Sequence, residues 1–286
     1  MKVEKARAMA NFEDAALLLH IGAPRTGSKW TTQFCSDHPE ILMSPIKNLH
    51  YFDDADGIYH EQFAERFRRL KKRYDRGASA NPPPIYSLLF DRLKMRADPD
   101  AYLDYFRRRW RGERILCDVT PSYHWQDEKA YRRMQAAHSQ VKFLLILRNP
   151  VDRLWSTVKL AKSRNPDRDV ETILVERLAN RAPPQWARYR HALEMLDKTV
   201  PSGDVHIDFF ERYFSTNAVE RLCEFLHIDM ESALLGPPVN QGAPVDLSAT
   251  NRARLFEALK SEYDICYERF GAELPSNWTA DMGRFG

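Results

Sequence analysis

Three groups of residues have the types and spacing to do chemistry. The first is Gly22-Ala23-Pro24-Arg25-Thr26-Gly27-Ser28, a short loop with two glycines and a proline. It follows an apolar run from Ala15 to Ile21, short enough for a buried strand, and precedes Trp30 and Phe34, which lie four apart on one face of an expected helix. Strand, glycine loop and helix start together can cradle a phosphate. The first amides of a helix have no intrahelical acceptor, and the helix dipole favours negative charge there. Arg25 adds a fixed cation that can fork onto two oxygens. Gly22 and Gly27 have the separation of a nucleoside-triphosphate loop, but that motif continues Gly-Lys-Ser/Thr, whereas here Ser28 precedes Lys29.

The second group is Arg148 and Ser156. Val141 to Leu147 is an almost unbroken apolar run, the pattern of a central parallel strand covered on both faces, and Arg148-Asn149-Pro150 follows at once. Ser156 falls one to two turns into the next helix, whose buried side carries Val151, Leu154, Trp155 and Val158. A guanidinium and a hydroxyl converging there can hold a second phosphate; the alternative is an arginine salt-bridged at the surface.

The third group holds the titratable residues. Lys47, His50 and Asp53 cluster beside Tyr51 and Phe52, just past a short strand over Ile41 to Met43. Asp118 and Thr120 end the strand Arg114 to Val119, with His124 close behind. Ligands of open α/β sheets bind at such strand ends. The alternatives are a solvated turn pinned by aromatics for the first set and a packed histidine for His124.

These groups need a scaffold. Residues 57 to 112 read as basic helices: Phe63, Phe67, Leu70 and Tyr74 mark one apolar face, and Tyr102, Leu103, Phe106 and Trp110 another, with arginines interleaved. Asn81-Pro82-Pro83-Pro84 breaks this span. A basic helix with aromatics can meet an acidic partner, or simply present a solvated face. Helix is expected over 165 to 200, a strand over Val205 to Phe209, and helices over Glu211 to Leu226 and Asn251 to Phe270. Pro237 to Leu247 reads as a flap-like loop. The expectation is one domain, residues 1 to 286, with a helical insertion at about 57 to 112.

A chain of 286 residues with 43% hydrophobic content can bury a sizeable core. The net charge of +3 makes no global case for nucleic acid. The four cysteines, Cys35, Cys117, Cys223 and Cys266, form no C-x-x-C pair, which argues against zinc and a disulfide framework. Met1 to Asp14 is charged, and no run reaches the roughly 20 apolar residues that span a bilayer, so a cytoplasmic protein without stable membrane insertion is expected.

Pro24-Arg25-Thr26-Gly27-Ser28-Lys29-Trp30 resembles the 5'-phosphosulfate loop of sulfotransferases that use PAPS (3'-phosphoadenosine-5'-phosphosulfate). Arg25 takes the usual lysine position, as in tyrosylprotein members. Leu147 to Ser156 resembles the family's 3'-phosphate segment, R-x-P-x-x-R-x-x-S. Lys47 to Asp53 resembles the K-E-x-x-F/Y-F element of bacterial and heparan-type members. Asp118-Val119-Thr120-Pro121-Ser122-Tyr123 is similar to its D/E-x-[ST]-P-x-Y stretch, and Asp208 to Glu211 and Leu222 to Leu226 to its late strand and helix.

The resemblance implies an α/β, three-layer, P-loop-like fold with a central parallel sheet flanked by helices. It implies that Pro24, Arg25, Thr26, Gly27, Ser28 and Lys29 belong to the phosphosulfate loop, that Trp30 stacks on adenine, and that Arg148 and Ser156 hold the 3'-phosphate. PAPS would be the co-substrate and PAP the product, with no metal required. The acceptor would be a hydroxyl or amine on a glycan, lipid or small metabolite; a homodimer is left open. The chain departs from the family at Asn48, where a base glutamate is usual and an amide cannot serve. His50 is the substitute base, followed by Asp118 and His124; Arg25 is the catalytic cation. Acceptor contacts are expected from the 57 to 112 insertion and the 237 to 247 loop. Two other readings stand beside this one: a kinase-like phosphotransferase using ATP, and a non-catalytic PAP-binding protein.

Overall fold

The computed structural model describes residues 11–75, 84–96, 98, 100–178, 187–230 and 245–286. Five strands form one sheet: β1 (Ala16–Gly22), β2 (Ile41–Met43), β3 (Ile115–Val119), β4 (Val141–Leu147) and β5 (Val205–Phe209). Their order is β2-β3-β1-β4-β5, and each adjacent pair is parallel. Crossovers between parallel strands put helices on both faces, so the inner strands have no wet side. Accordingly β1 and β4 are buried at every position. Leu17, Leu19, Phe143 and Leu145 enter the larger core on one face. Leu18, Cys117, Leu144 and Ile146 enter a smaller core on the other, against Trp30 and Phe34.

The helices are α1 (Ser28–Asp37), α2 (Ile58–Asp75), α3 (Pro84–Lys94), α4 (Ala101–Arg107), α5 (Glu128–Gln135), α6 (Pro150–Arg164), α7 (Val170–Leu178), α8 (Tyr189–Thr199), α9 (Thr216–Leu226), α10 (Ala249–Phe270) and α11 (Ser276–Phe285). A 3-10 turn spans Pro121–Trp125. Helices, sheet and helices make the three layers expected.

Several boundaries differ from the sequence reading. The span 57 to 112 holds three helices, α2 to α4, and 165 to 200 holds α7 and α8 with residues 179–186 outside the described set. The helix expected from Glu211 starts at Thr216, because Ser215 caps it by accepting from the Ala218 amide. Helices α5 and α11 were not anticipated. Residues 76–83 and 231–244, including the proline break and most of the expected flap, lie outside the described residues.

On α2 three of the basic residues pair within their own helix: Arg68 with Glu61, Arg69 with Glu65, Lys71 with Asp75. Arg108 and Arg109 both pair with Asp91 of α3. This is the solvated-face pattern of the two alternatives. All four cysteines are buried free thiols, as packing residues would be. Among the described residues no helix is long and apolar enough to cross a membrane.

Candidate active site

The loops after β1, β2, β4 and β5 each send side chains into one cavity of about 640 Å³ at the C-terminal edge of the sheet. Arg25 and Ser28 come from the first, Lys47 from the second, Arg148 from the third and Phe210 from the fourth. This is where a doubly wound sheet leaves its crevice.

The glycine loop is shaped by close approach. A Cβ on Gly22, at φ 149°, would sit 2.7 Å from the carbonyl oxygen of Pro121, and one on Gly27, at φ 92°, 3.0 Å from the Phe214 ring. Arg25 itself is left-handed, at φ 71°. Gly27 then caps α1, whose first turn carries no acid to compete for an anion. Thr26 is fully buried, and its hydroxyl donates to the Ala23 carbonyl at 2.5 Å. Its side chain therefore braces the loop from inside and does not line the cavity.

The loop after β1 and the segment from Arg148 to Ser156 touch. Arg25 Nε donates to Ser156 Oγ at 3.0 Å, and Arg148 Nη1 donates to the Arg25 carbonyl at 3.0 Å. Arg148 is held over the Phe210 ring at 4.1 Å, and its backbone N–H and C=O both bond the Tyr189 hydroxyl. Asn149 caps α6 by accepting from the Asp152 amide at 3.1 Å and is itself tied to Asp281 of α11 at 2.8 Å. The start of the helix that presents Ser156 is thus fixed from the far end of the chain.

Charge in the cavity is lopsided. Arg25, Lys29, Lys47, Arg148 and Lys159 line it against Asp152 and Asp246. Burial, then Arg148 and Arg164, pushes the Arg25 pKa down, and burial, then Lys29 and Arg25, does the same for Lys47. A concave space lined mainly by cations suits an anion. Trp30 also lines the cavity; its ring stacks on Phe34 at 5.4 Å and meets Tyr213 and Phe214 edge-on. From the expected flap, residues 245–247 are described and line the cavity, with Trp155 Nε1 donating to the Val245 carbonyl at 3.1 Å. Pro24 lies elsewhere, in a neighbouring groove that shares Arg25.

His50 stands at φ 51° with its ring stacked 3.7 Å above Tyr59. Its Nδ1 is 2.9 Å from Asp53 Oδ2, which also accepts from Ser122 Oγ at 2.5 Å. A carboxylate can only accept, so Nδ1 carries the hydrogen and Nε2 is left as the basic lone pair. This is the oriented histidine–carboxylate arrangement of a general base.

The His50 loop is sewn to β3: the Asn48 backbone amide donates to the Val119 carbonyl at 3.1 Å, and the Leu49 amide to Thr120 Oγ1 at 2.9 Å. Buried Arg92 of α3 holds it from the other side, donating to the carbonyls of Leu49 (2.6 Å) and His50 (2.7 Å) and to Asp54 (2.9 Å). Sequence patterning did not single out Arg92, Ser122 or Tyr59; only Asp53, three residues from His50, was in view.

The remaining base candidates need correction. Asp118 is fully buried and accepts from Thr120 (2.7 Å), Tyr123 (3.0 Å) and Tyr102 (3.2 Å) hydroxyls. Burial pushes its pKa up to about 6. Shielded by three hydroxyls, it braces the strand end and does not line the cavity. His124 is buried too, its Nδ1–H donating to the Pro121 carbonyl at 2.7 Å.

A family model described as "Sulfotransferase family" matches residues 18–232. No curated protein matches the chain by sequence. Among solved structures, the sulfotransferase from Alicyclobacillus acidocaldarius superposes with a TM-score of 0.60 at 21% identity, over 95% of this chain and 100% of that one. The sulfotransferase domain of the Synechococcus PCC 7002 olefin synthase gives 0.52 at 19% identity, over 86% and 93%.

Proposed function

The chain belongs to the sulfotransferase family, and from that premise we propose that it transfers a sulfuryl group from PAPS to a hydroxyl or amine and releases PAP. The observation that carries this reading is the direct link between the two phosphate segments, Arg25 to Ser156 and Arg148 to Arg25, across one cation-lined cavity. A nucleotide phosphorylated at both ends fits such a pair of sites better than a linear triphosphate does, and the loop lacks the Gly-Lys-Ser/Thr order.

Bound PAPS would supply a sulfuryl group on a phosphate leaving group. The work of the chain is positional and electrostatic, as in phosphoryl transfer. Arg25, Ser28 and the N-terminus of α1 would oppose the negative charge that builds on the leaving oxygen. Arg148 and Ser156 would hold the 3'-phosphate. Lys47 adds a second cation beside Arg25. His50 Nε2 would take the proton of the attacking hydroxyl, with Asp53 fixing the tautomer and balancing the imidazolium that forms. The new bond joins acceptor oxygen to sulfur as the bond from sulfur to the phosphate oxygen breaks.

The His50–Asp53 pair favours an enzyme over a non-catalytic PAP binder despite Asn48. The test is thermal stabilisation by PAP against ATP with magnesium, followed by transfer from radiolabelled PAPS to a panel of phenols, alcohols and amines. Stabilisation by PAP with turnover supports the reading. Greater stabilisation by ATP would turn it toward a kinase, and tight PAP binding without any transfer toward a binding protein.

A further inference from the structure

A second groove of about 430 Å³ lies on the other side of Arg25. Helix α6 divides the two spaces. Ser156 and Lys159, three apart, face the donor cavity, whereas Thr157, Leu160, Ala161 and Arg164 face the groove. Residues one position apart on a helix point about 100° away from each other, so a single helix can line both. Arg25 is common to the two linings.

The groove's own chemistry is distinct. Arg164, Arg168 and Arg177 line it together with Arg25, and no described lining residue is acidic. Arg168 is paired with Glu176. Arg164 and Arg177 form no ion pair among the described residues, and Arg164 is close enough to Arg25 to depress its pKa. Trp125, Leu160 and Ala161 supply an apolar wall. Trp125 closes the 3-10 turn that holds Ser122, three residues earlier, and Ser122 touches both His50 and Asp53. In a 3-10 turn residues three apart share a face. The groove therefore adjoins the sulfate-facing cation on one side and the turn that touches the base on the other. Neither α2 to α4 nor the 237 to 247 loop, the expected acceptor contacts, contributes a described residue to it.

We propose that this groove binds the acceptor, and that the acceptor is an anionic small molecule: an apolar or ring body carrying a carboxylate, phosphate or sulfate that pairs with Arg164 and Arg177. The inference rests on the sulfotransferase reading only for the word acceptor; the charge preference stands on the groove itself.

The probe pair is 3-(4-hydroxyphenyl)propanoate and its methyl ester, titrated into PAP-saturated protein and into protein without nucleotide. The carboxylate is expected to bind about tenfold tighter than the ester, as one charge-assisted contact gives. The ratio should fall toward one in the double variant R164Q/R177Q and persist in R164K/R177K. Equal binding of the two probes, or a ratio that R164Q/R177Q leaves unchanged, overturns the proposal. A preserved ratio in protein that binds no PAP supports the groove while removing the donor reading, so the two failures are distinct.

Discussion

The backbone carbonyl of Arg25 accepts a hydrogen bond from Arg148 Nη1 at 3.0 Å, joining the loop after β1 to the loop after β4. Each arginine thereby orients the other, and Ser156 locks the Arg25 side chain from α6. The two loops are held in register by the protein's own contacts.

Arg25 should be the least replaceable cation. Arg25→Ala is expected to lower kcat by about 10²–10³-fold, the usual loss for one preorganised donor, and to weaken PAP binding. Lys29→Ala, on an exposed first-turn side chain that bonds none of the loop, should do much less. Steady-state transfer and PAP calorimetry measure both; equal losses would mean that the wrong cation is assigned to the sulfate.

Removing the base should separate chemistry from binding. His50→Ala is expected to reduce kcat by about 10²–10⁴-fold with PAP affinity unchanged. Asp53→Asn can offer its amide to Nδ1 and so favour the wrong tautomer, and should cost nearly as much. A His50→Ala enzyme with normal kcat would remove His50 from the mechanism.

Asp118 makes a pH-dependent contribution to stability. Its pKa is raised from the model-compound range to about 6 in the fold, so between pH 4 and 6 the unfolded chain releases a proton that the native chain keeps. Stability from this group is greatest below pH 4 and falls as pH rises to about 6, by on the order of 3 kcal/mol. Asp118→Asn should remove that slope from the denaturation profile while transfer stays within about tenfold. A slope identical to that of the parent protein would refute the assignment.

Arg92 ties α3 to the loop that carries His50. Arg92→Ala leaves Asp54, whose side chain is 5% exposed, buried beside two unpaired carbonyls. Loss of one partner of a buried pair costs about 3–5 kcal/mol. Urea denaturation should register it, and kcat should fall more than PAP affinity in the folded fraction. Loss of PAP binding in step with kcat would point to general unfolding instead.

Much of this was legible from local pattern. The β4 run is apolar because both faces are covered, and it reads off the sequence to the residue. The glycine loop and the Arg148 segment declare themselves because backbone shape and charge are local properties. What stayed hidden depends on distant partners. Asp118, near the C-terminal end of β3, and His50, in the loop after β2, lie near the same sheet edge, yet three hydroxyls close over one while Asp53 and Ser122 orient the other. Arg92 sits in an arginine-rich span, five of whose other members form ion pairs, and its own partners lie about forty residues away. Helix α11 holds Asn149 through Asp281, 132 positions on; its ten residues carry only a short apolar face, Trp278, Met282 and Phe285.

Five cations line one cavity, and on the proposed reading they would hold the spent nucleotide as well as the fresh one. On the PAPS reading, departure of the doubly phosphorylated product would then set the pace of each cycle. Added salt, which screens such charges, should quicken turnover at saturating donor and impair capture when donor is scarce. The cluster that draws the reagent in is also the brake on its exit.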